Sequence, residues 1–429
     1  MKRYKYPSAK QWPSICQRPV MDSSSIFPAV NAIIYDVANN GNAALKKYAQ
    51  KFDGIILKNL SVTTQEINAA IRNIDPSLKK AILQAKNNIH KFHSSQKQAI
   101  VKIETTKGVT CWRETRPIEK VGLYIPGGSA PLFSTVLMLG VPASIAGCKE
   151  IVLCTPPNKN GKVHDAILFA ASLCGITRIF KVGGAQAIAA MAYGTKTIPA
   201  VNKIFGPGNQ YVMVAKQILQ SKVAIDMPAG PSEVLVIADK TANPAFVAAD
   251  LLAQAEHGPD SQVVLVSTDA DIIKQTEVAI QQQLSLLPRQ NIAAKALEHA
   301  RIVLMKNIKD AIAFSNTYAP EHLILACKTT NALLKEIHTA GSVFIGNYSP
   351  ESVGDYASGT NHTLPTNGYA TAYSGVSLDS FYKKITFQQL TDEGLKNIAN
   401  TVTTMAEAEG LQAHSEAVKV RLRHIKKAK

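Results

Sequence analysis

From about residue 120 the chain alternates short runs of β-branched and aliphatic residues with longer helix-forming stretches, the pattern of βα units on a parallel sheet. Glu150-Ile-Val-Leu-Cys-Thr155 reads as a buried strand stopped by Pro156-Pro157, with a helix following over 163–173. The same periodicity predicts strands over 178–182, 203–205, 234–238 and 262–266, and helices over 185–193, 209–220 and 244–256. Residues 22–100 carry mainly helical spacing, for example over 31–52 and 77–93. Beyond the central block, 299–305 and 341–345 read as further strands. The stretch 386–409 is helix-forming without a strand, and Gly410 marks a stop before a second helix over 413–427. There is no internal repeat and no low-complexity segment. The pattern predicts two α/β domains and a small helical C-terminal piece.

Composition narrows the class. With 429 residues, 46% of them hydrophobic and 18% charged, the chain can bury enough apolar surface to offset ordering entropy, which excludes a stapled mini-protein and wholesale disorder. The cysteines, Cys16, Cys111, Cys148, Cys154, Cys174 and Cys327, are scattered and form no Cys-x-x-Cys pair, which suits reduced thiols in a cytoplasmic setting. Pro7, Lys10, Pro13 and Arg18 interrupt what an export signal would need as its apolar core. The most apolar stretch, 132–148, contains Ser134, Thr135, Gly140, Pro142 and Ser144, so no membrane span is expected. The net charge of +16 invites a nucleic-acid reading. Lys and Arg are nevertheless dispersed, apart from the terminal run 421–429, and no nucleic-acid partner is expected.

Three glycine turns, Pro126-Gly-Gly128, Gly183-Gly184 and Gly206-Pro-Gly208, stand where strands hand over to helices, the place where helix N-terminal amides meet phosphates. None completes Gly-x-Gly-x-x-Gly: Tyr211 occupies the third glycine position after Gly206, so tight turns and nucleotide sites both remain open. Gln254 and His257, three apart at a helix end, share a face and can converge on one cation. Asp355, His362 and His414 are candidate partners, a nitrogen and oxygen set suited to zinc. His90 and His93 have tidier helical spacing but lie on a Lys-rich helix and read as a solvated face. Pro320-Glu-His322 reads as a helix start, which would favour ionised Glu321 and neutral His322, a general base beside a water-activating carboxylate. That pair beside a metal also suits a zinc hydrolase, which would need no dinucleotide.

Taken in order, Gly122-Leu-Tyr-Ile-Pro-Gly-Gly128, Val182-Gly-Gly-Ala-Gln-Ala187, Phe205-Gly-Pro-Gly-Asn209, Pro228-Ala-Gly-Pro-Ser-Glu233, Gln254-Ala-Glu-His-Gly-Pro-Asp260, Ala319-Pro-Glu-His322, Gly354-Asp355, Gly359-Thr-Asn-His362 and Ala413-His414 resemble the histidinol dehydrogenase family. The resemblance runs from about Arg18 to the C-terminus. It implies a cytoplasmic, zinc- and NAD-dependent four-electron oxidation of L-histidinol to L-histidine through the aldehyde, the last steps of histidine biosynthesis. By the same resemblance His322 is the general base and Glu321 activates water. One zinc ion per subunit is held by Gln254, His257, Asp355 and His414. Ser232, Glu409 and His362 join these residues around the substrate, and Tyr124, Gln186 and Asn209 contact NAD.

The implied fold is α/β, with two incomplete Rossmann-like domains on parallel sheets plus small helical N- and C-terminal segments. An arm over 1–21 precedes a first domain of 22–123 and 232–378, carrying the metal and catalytic residues. Into it is inserted a second domain, 124–231, that contacts NAD. The helical segment 379–429 reaches into the partner subunit of a homodimer with shared sites. Glu409 and His414 are five apart, about 500° of helical rotation, so a break at Gly410 is needed to bring them to one place.

Overall fold

The computed structural model describes residues 1–18, 25–127, 131–228, 230–328 and 331–427. Gly128 of the first glycine turn and Ala229 of the motif before Glu233 lie outside them. The chain divides into two compact units, 1–95 with 118–381, and 96–117 with 382–429.

The larger unit holds two parallel sheets. One has five strands in the order Arg178–Lys181, Glu150–Thr155, Lys120–Tyr124, Lys203–Phe205, Ala224–Ile225. The other has six, in the order Lys2–Lys5, Arg301–Leu304, Gln262–Ser267, Glu233–Ala238, His322–Ala326, Ser342–Ile345. The α/β class and its parallel sheets are as the sequence pattern indicates, and the N-terminus adds an edge strand to the second sheet.

Strand alternation sorts the six-stranded sheet's side chains into two cores. Val234, Val236, Val263, Leu265, Ile302 and Ile324 pack on one face, with Val247, Ala248 and Leu251 of helix Pro244–Ala255. Leu235, Ile237, Val264, Val303, Leu323 and Leu325 pack on the other, with Phe314 and Tyr318 of helix Ile308–Tyr318. His322 therefore belongs to the first face and Glu233 to the second, a parity that separates what each can touch.

Two expectations are corrected here. His93 is buried, not solvated: helix Pro76–Ser94 turns Ile82, Ile89 and His93 inward, and only His90 stays exposed. The stretch taken as wholly helical from 386 begins as a strand, Tyr382–Leu390, paired antiparallel with Val109–Pro117, which in turn pairs with Lys102–Thr106. Its Ile385 and Phe387 alternate with Lys384, Thr386 and Gln388 in period two, a short strand signal that the following helix former Asp392–Ala408 masks. Gly410 does end that helix, at φ +75°, before Gln412–Lys427 begins.

The turn after Lys203–Phe205 is tightly constrained. Gly206 lies at φ +124°, and a Cβ there would stand 2.0 Å from the Tyr124 carbonyl oxygen. Its N–H donates to Asp226 Oδ2 at 2.8 Å and its carbonyl accepts from Lys216 Nζ at 3.0 Å, while Lys216 and Asp226 form a buried ion pair. Gly147, by contrast, has φ +83° and open space around its missing Cβ. Gly147→Ala should cost only the backbone strain, about 1–3 kcal/mol, and Gly206→Ala clearly more. Thermal unfolding of both variants checks this; equal losses would show that the Tyr124 contact yields without cost.

Candidate active site

Glu321, His322, Gln254, His257 and Asp355, all singled out by sequence, meet at the amino-terminal edge of the six-stranded sheet. His322 opens its strand, paired with Val234 and Ser342, and Glu321 immediately precedes it. This corrects the expected helix start. The preceding helix ends at Tyr318, with Ala319 in the left-handed region at φ +51°, and Pro320 leads into a strand because Leu323-Ile-Leu-Ala326 is needed, fully buried, between two neighbours. His322 consequently owes nothing to a helix dipole.

Both candidate catalytic groups hang on the backbone of one residue, Glu233. The Glu233 N–H donates to Glu321 Oε2 at 2.8 Å, and His322 Nδ1 lies 3.1 Å from the Glu233 carbonyl oxygen. An Nδ1–H donated to that carbonyl leaves Nε2 as the basic nitrogen. Nε2 is buried, has no hydrogen-bond partner among the described residues, and lies 3.7 Å from Asp355 Oδ1. The Glu233 side chain is itself fixed: Arg18 grips both carboxylate oxygens, at 2.7 Å for Oε2, and the Asn367 N–H donates to Oε1 at 2.9 Å. Arg18 also donates to the Tyr318 carbonyl at 2.7 Å and stacks on the Tyr318 ring at 4.0 Å.

Helix Pro244–Ala255 returns from the far end of its strand and brings Gln254 and His257 back to this edge. Gln254 is fully buried, and neither side-chain atom has a partner among the described residues. An amide in that state is costly unless a ligand satisfies it. Helix Glu351–Tyr356 supplies Glu351 and Asp355, one turn apart on one face. His257, Glu351 and Asp355 each present a ligand atom, all within 4.8 Å of one another. Glu351 was not foreseen from sequence, although its i, i+4 relation to Asp355 is a readable signal. Asp250 was also missed; burial raises its carboxyl to about 7.

The electrostatics follow from crowding. Burial opposes a charged His322, but the carboxylates of Glu351, Glu321 and Asp355 together outweigh it and raise its pKa. Glu321 is raised by burial against the pull of His322. Glu351 is raised by burial and by the neighbouring charges of Asp355 and Asp250. His257, at the rim, and His362 are both lowered by burial.

His362 has its Nδ1 3.0 Å from the Asp355 carbonyl oxygen and its Nε2 3.1 Å from Thr135 Oγ1. Ser232 is half-buried beside Glu233 at the same edge. Glu409 and His414 belong to the other unit, where both are exposed on either side of Gly410.

The three residues expected to contact NAD meet elsewhere, at the carboxyl ends of the five-stranded sheet, around a cavity of about 840 Å³. Tyr124 Oη accepts from the Gly184 N–H at 3.0 Å, Gln186 lies in the first turn of helix Gly184–Tyr193, and Asn209 caps helix Gln210–Leu219. Two helix N-termini thus open on one cavity, the arrangement in which orphan amides favour an anion.

The profile of the family described as histidinol dehydrogenase matches residues 16–422. The chain is 56% identical to the histidinol dehydrogenase of Bacteroides thetaiotaomicron over 427 residues, 99% of this chain and 100% of that one. It is 55% identical to that of Haemophilus influenzae over 410 residues, 95% of each chain. The crystal structure of histidinol dehydrogenase from Elizabethkingia anophelis, 57% identical, superimposes with a TM-score of 0.97 over 99% of each chain. The chain therefore belongs to the histidinol dehydrogenase family of oxidoreductases.

Proposed function

We propose that the chain oxidises L-histidinol to L-histidine in two successive two-electron steps, with NAD as acceptor, zinc at the cluster and one water consumed. The observation that carries the reading is His322: one ring nitrogen is fixed on the Glu233 carbonyl and the other is buried and unpartnered beside Asp355. This is what a base needs if it is to take the alcohol proton at Nε2 and later the proton of the aldehyde hydrate. Glu321, held by the Glu233 N–H through one carboxylate oxygen, is the group for activating the water that enters between the two steps.

The residues present fit a zinc ion. His257, Asp355 and the partnerless Gln254 amide are the nitrogen and oxygen donors for it, with Glu351 within reach of the same point. When bound, zinc supplies a Lewis acid for the substrate's nitrogens and positive charge that offsets the carboxylates around His322. The residues also fit NAD, which supplies the two-electron acceptor in each step, with Tyr124, Gln186 and Asn209 lining its cavity in the inserted segment 124–231. Ser232 and His362 border the substrate.

Glu409 and His414 are proposed to complete the site of a second copy in a homodimer. Their unit leaves Ile103, Leu390, Met405, Leu411 and Val420 exposed, apolar surface of the kind an obligate interface covers. The six free cysteines support a cytoplasmic setting.

The direct test counts NADH formed per L-histidinol consumed by purified protein. Two are expected, abolished by a chelator and restored by zinc; turnover without NAD would favour a zinc hydrolase. His322→Ala should slow both oxidations by about 10²–10⁴-fold. Glu321→Ala should mainly stall aldehyde oxidation, because the first step needs no water. Equal losses in the two half-reactions would refute that division of labour. Mixing His414→Ala with His322→Ala subunits should restore activity, since a heterodimer rebuilds one intact site; no recovery in verified heterodimers would refute sharing between chains.

A further inference from the structure

The cavity at the carboxyl ends of the five-stranded sheet has a wall that the proposed reaction does not use. After helix Asn42–Tyr48 the chain makes a short π-helical turn, Ala49–Asp53, closed by Gly54 in the left-handed region at φ +71°. Tyr48 and Phe52 stack across this turn, with ring centroids 5.5 Å apart and planes within 7° of each other. That stack fixes the turn's orientation and puts Asp53 on the cavity wall with Tyr124, Gln186 and Asn209.

Asp53 Oδ2 is buried, and among the described residues it has no hydrogen-bond donor. No ion pair within 4.0 Å involves Asp53 among them either; Lys51, on the same turn, instead lies 5.5 Å from the Phe52 ring centroid. Burial raises the Asp53 carboxyl, and its charge in turn contributes to the rise of the Tyr124 phenol, so the two groups are electrostatic neighbours in this cavity. A buried carboxylate oxygen without a donor is destabilising until one is supplied.

The cavity thus carries two opposite preferences. The helix N-termini at Gly184 and Gln210 favour an anion, whereas Asp53 repels one and needs hydroxyl or amide donors. A dinucleotide satisfies both, through its pyrophosphate and the vicinal hydroxyls of its ribose. In other nucleotide-binding sheets a carboxylate that accepts from the ribose 2′-hydroxyl favours NAD, because a 2′-phosphate meets like charge.

We infer that Asp53 reads the dinucleotide's ribose: its carboxylate accepts hydrogen bonds from ribose hydroxyls and turns away a ribose phosphate, which makes it the residue that selects NAD over NADP. The inference rests on the dinucleotide reading given above. It assigns the selecting carboxylate to a π-helical turn in the helical N-terminal region, not to the glycine turns of the sheet itself.

The test uses the full-length, zinc-loaded protein, with KM and kcat measured for NAD, NADP and 2′-deoxy-NAD at saturating L-histidinol. The wild type should favour NAD over both others. Asp53→Asn, nearly isosteric and removing no contact that the protein itself makes to Oδ2, should raise the KM for NAD about tenfold or more. It should shrink both preferences by a similar factor, a shift much larger than any change in the KM for L-histidinol. Asp53→Ala, as a second variant, should move the same ratios in the same direction. Wild-type turnover of NAD with ratios unchanged within about twofold in both variants would overturn the inference and leave the dinucleotide reading standing. Absence of reduced dinucleotide from the wild type with either NAD or NADP would bring down both.

Discussion

The backbone of Glu233 is the constraint on which the candidate catalytic cluster depends. Its N–H holds Glu321 and its carbonyl holds His322, so the separation of these two groups is set by backbone geometry and not by side-chain freedom. The backbone there cannot drift, because parallel pairing of Glu233–Ala238 with His322–Ala326 fixes the register and the Glu233 side chain is clamped on the opposite face by Arg18 and the Asn367 N–H. Alternation along a strand makes this possible: the carboxylate points to the core lined by Tyr318, while His322 faces helix Pro244–Ala255. A buried ion pair of this kind contributes modestly to net stability but is costly to break, about 3–5 kcal/mol when one partner is lost. Its main consequence here is positional.

The second constraint is charge. Glu321, Glu351 and Asp355 crowd around His322, with Asp250 acting on Glu351, and burial pushes the carboxyls of Glu321, Glu351 and Asp250 up because the space disfavours uncompensated anions. Protonating His322 relieves part of the strain, yet a protonated imidazole cannot act as a base. The divalent cation proposed for His257 and Asp355 would resolve the conflict, since it would compensate the carboxylates without consuming the basic nitrogen, and it would satisfy Gln254, fully buried with no partner among the described residues.

Much of this was legible in the sequence because parallel sheets buried on both faces write themselves as short aliphatic runs; the strands Glu150–Thr155 and Lys203–Phe205 carry the bounds their composition indicates. Failures came where local signals compete. Pro320 resembles a helix start, but the tertiary demand for a buried central strand overrides it. Within Tyr382–Leu390 only the stretch 384–388 alternates in period two, and a strong helix former follows directly. His93 sits among lysines in sequence, but helical phase turns it inward with Ile82 and Ile89. The ordered motifs identified the cluster residues, whereas Glu351 and Asp250 escaped because a lone acidic residue at a helix start or on a helix face ordinarily signals solvent.

The two sites obey different rules of the fold. The cavity proposed for the dinucleotide lies at the carboxyl ends of its strands, where turns and helix N-termini gather, as expected for a doubly wound sheet. The catalytic cluster lies at the amino-terminal edge of the other sheet, a place that rule does not predict. His362 bridges towards both: its ring nitrogens reach the Asp355 carbonyl on one side and Thr135, in helix Phe133–Ala146 behind the five-stranded sheet, on the other. Burial lowers this ring's pKa and so favours its neutral form; a neutral ring can donate from Nδ1 to the carbonyl and accept at Nε2 from the threonine hydroxyl, adding no charge to the site. A lysine or arginine making the same span would compete for Asp355 with the cation proposed for the cluster; a neutral imidazole fixes the geometry and leaves that carboxylate available.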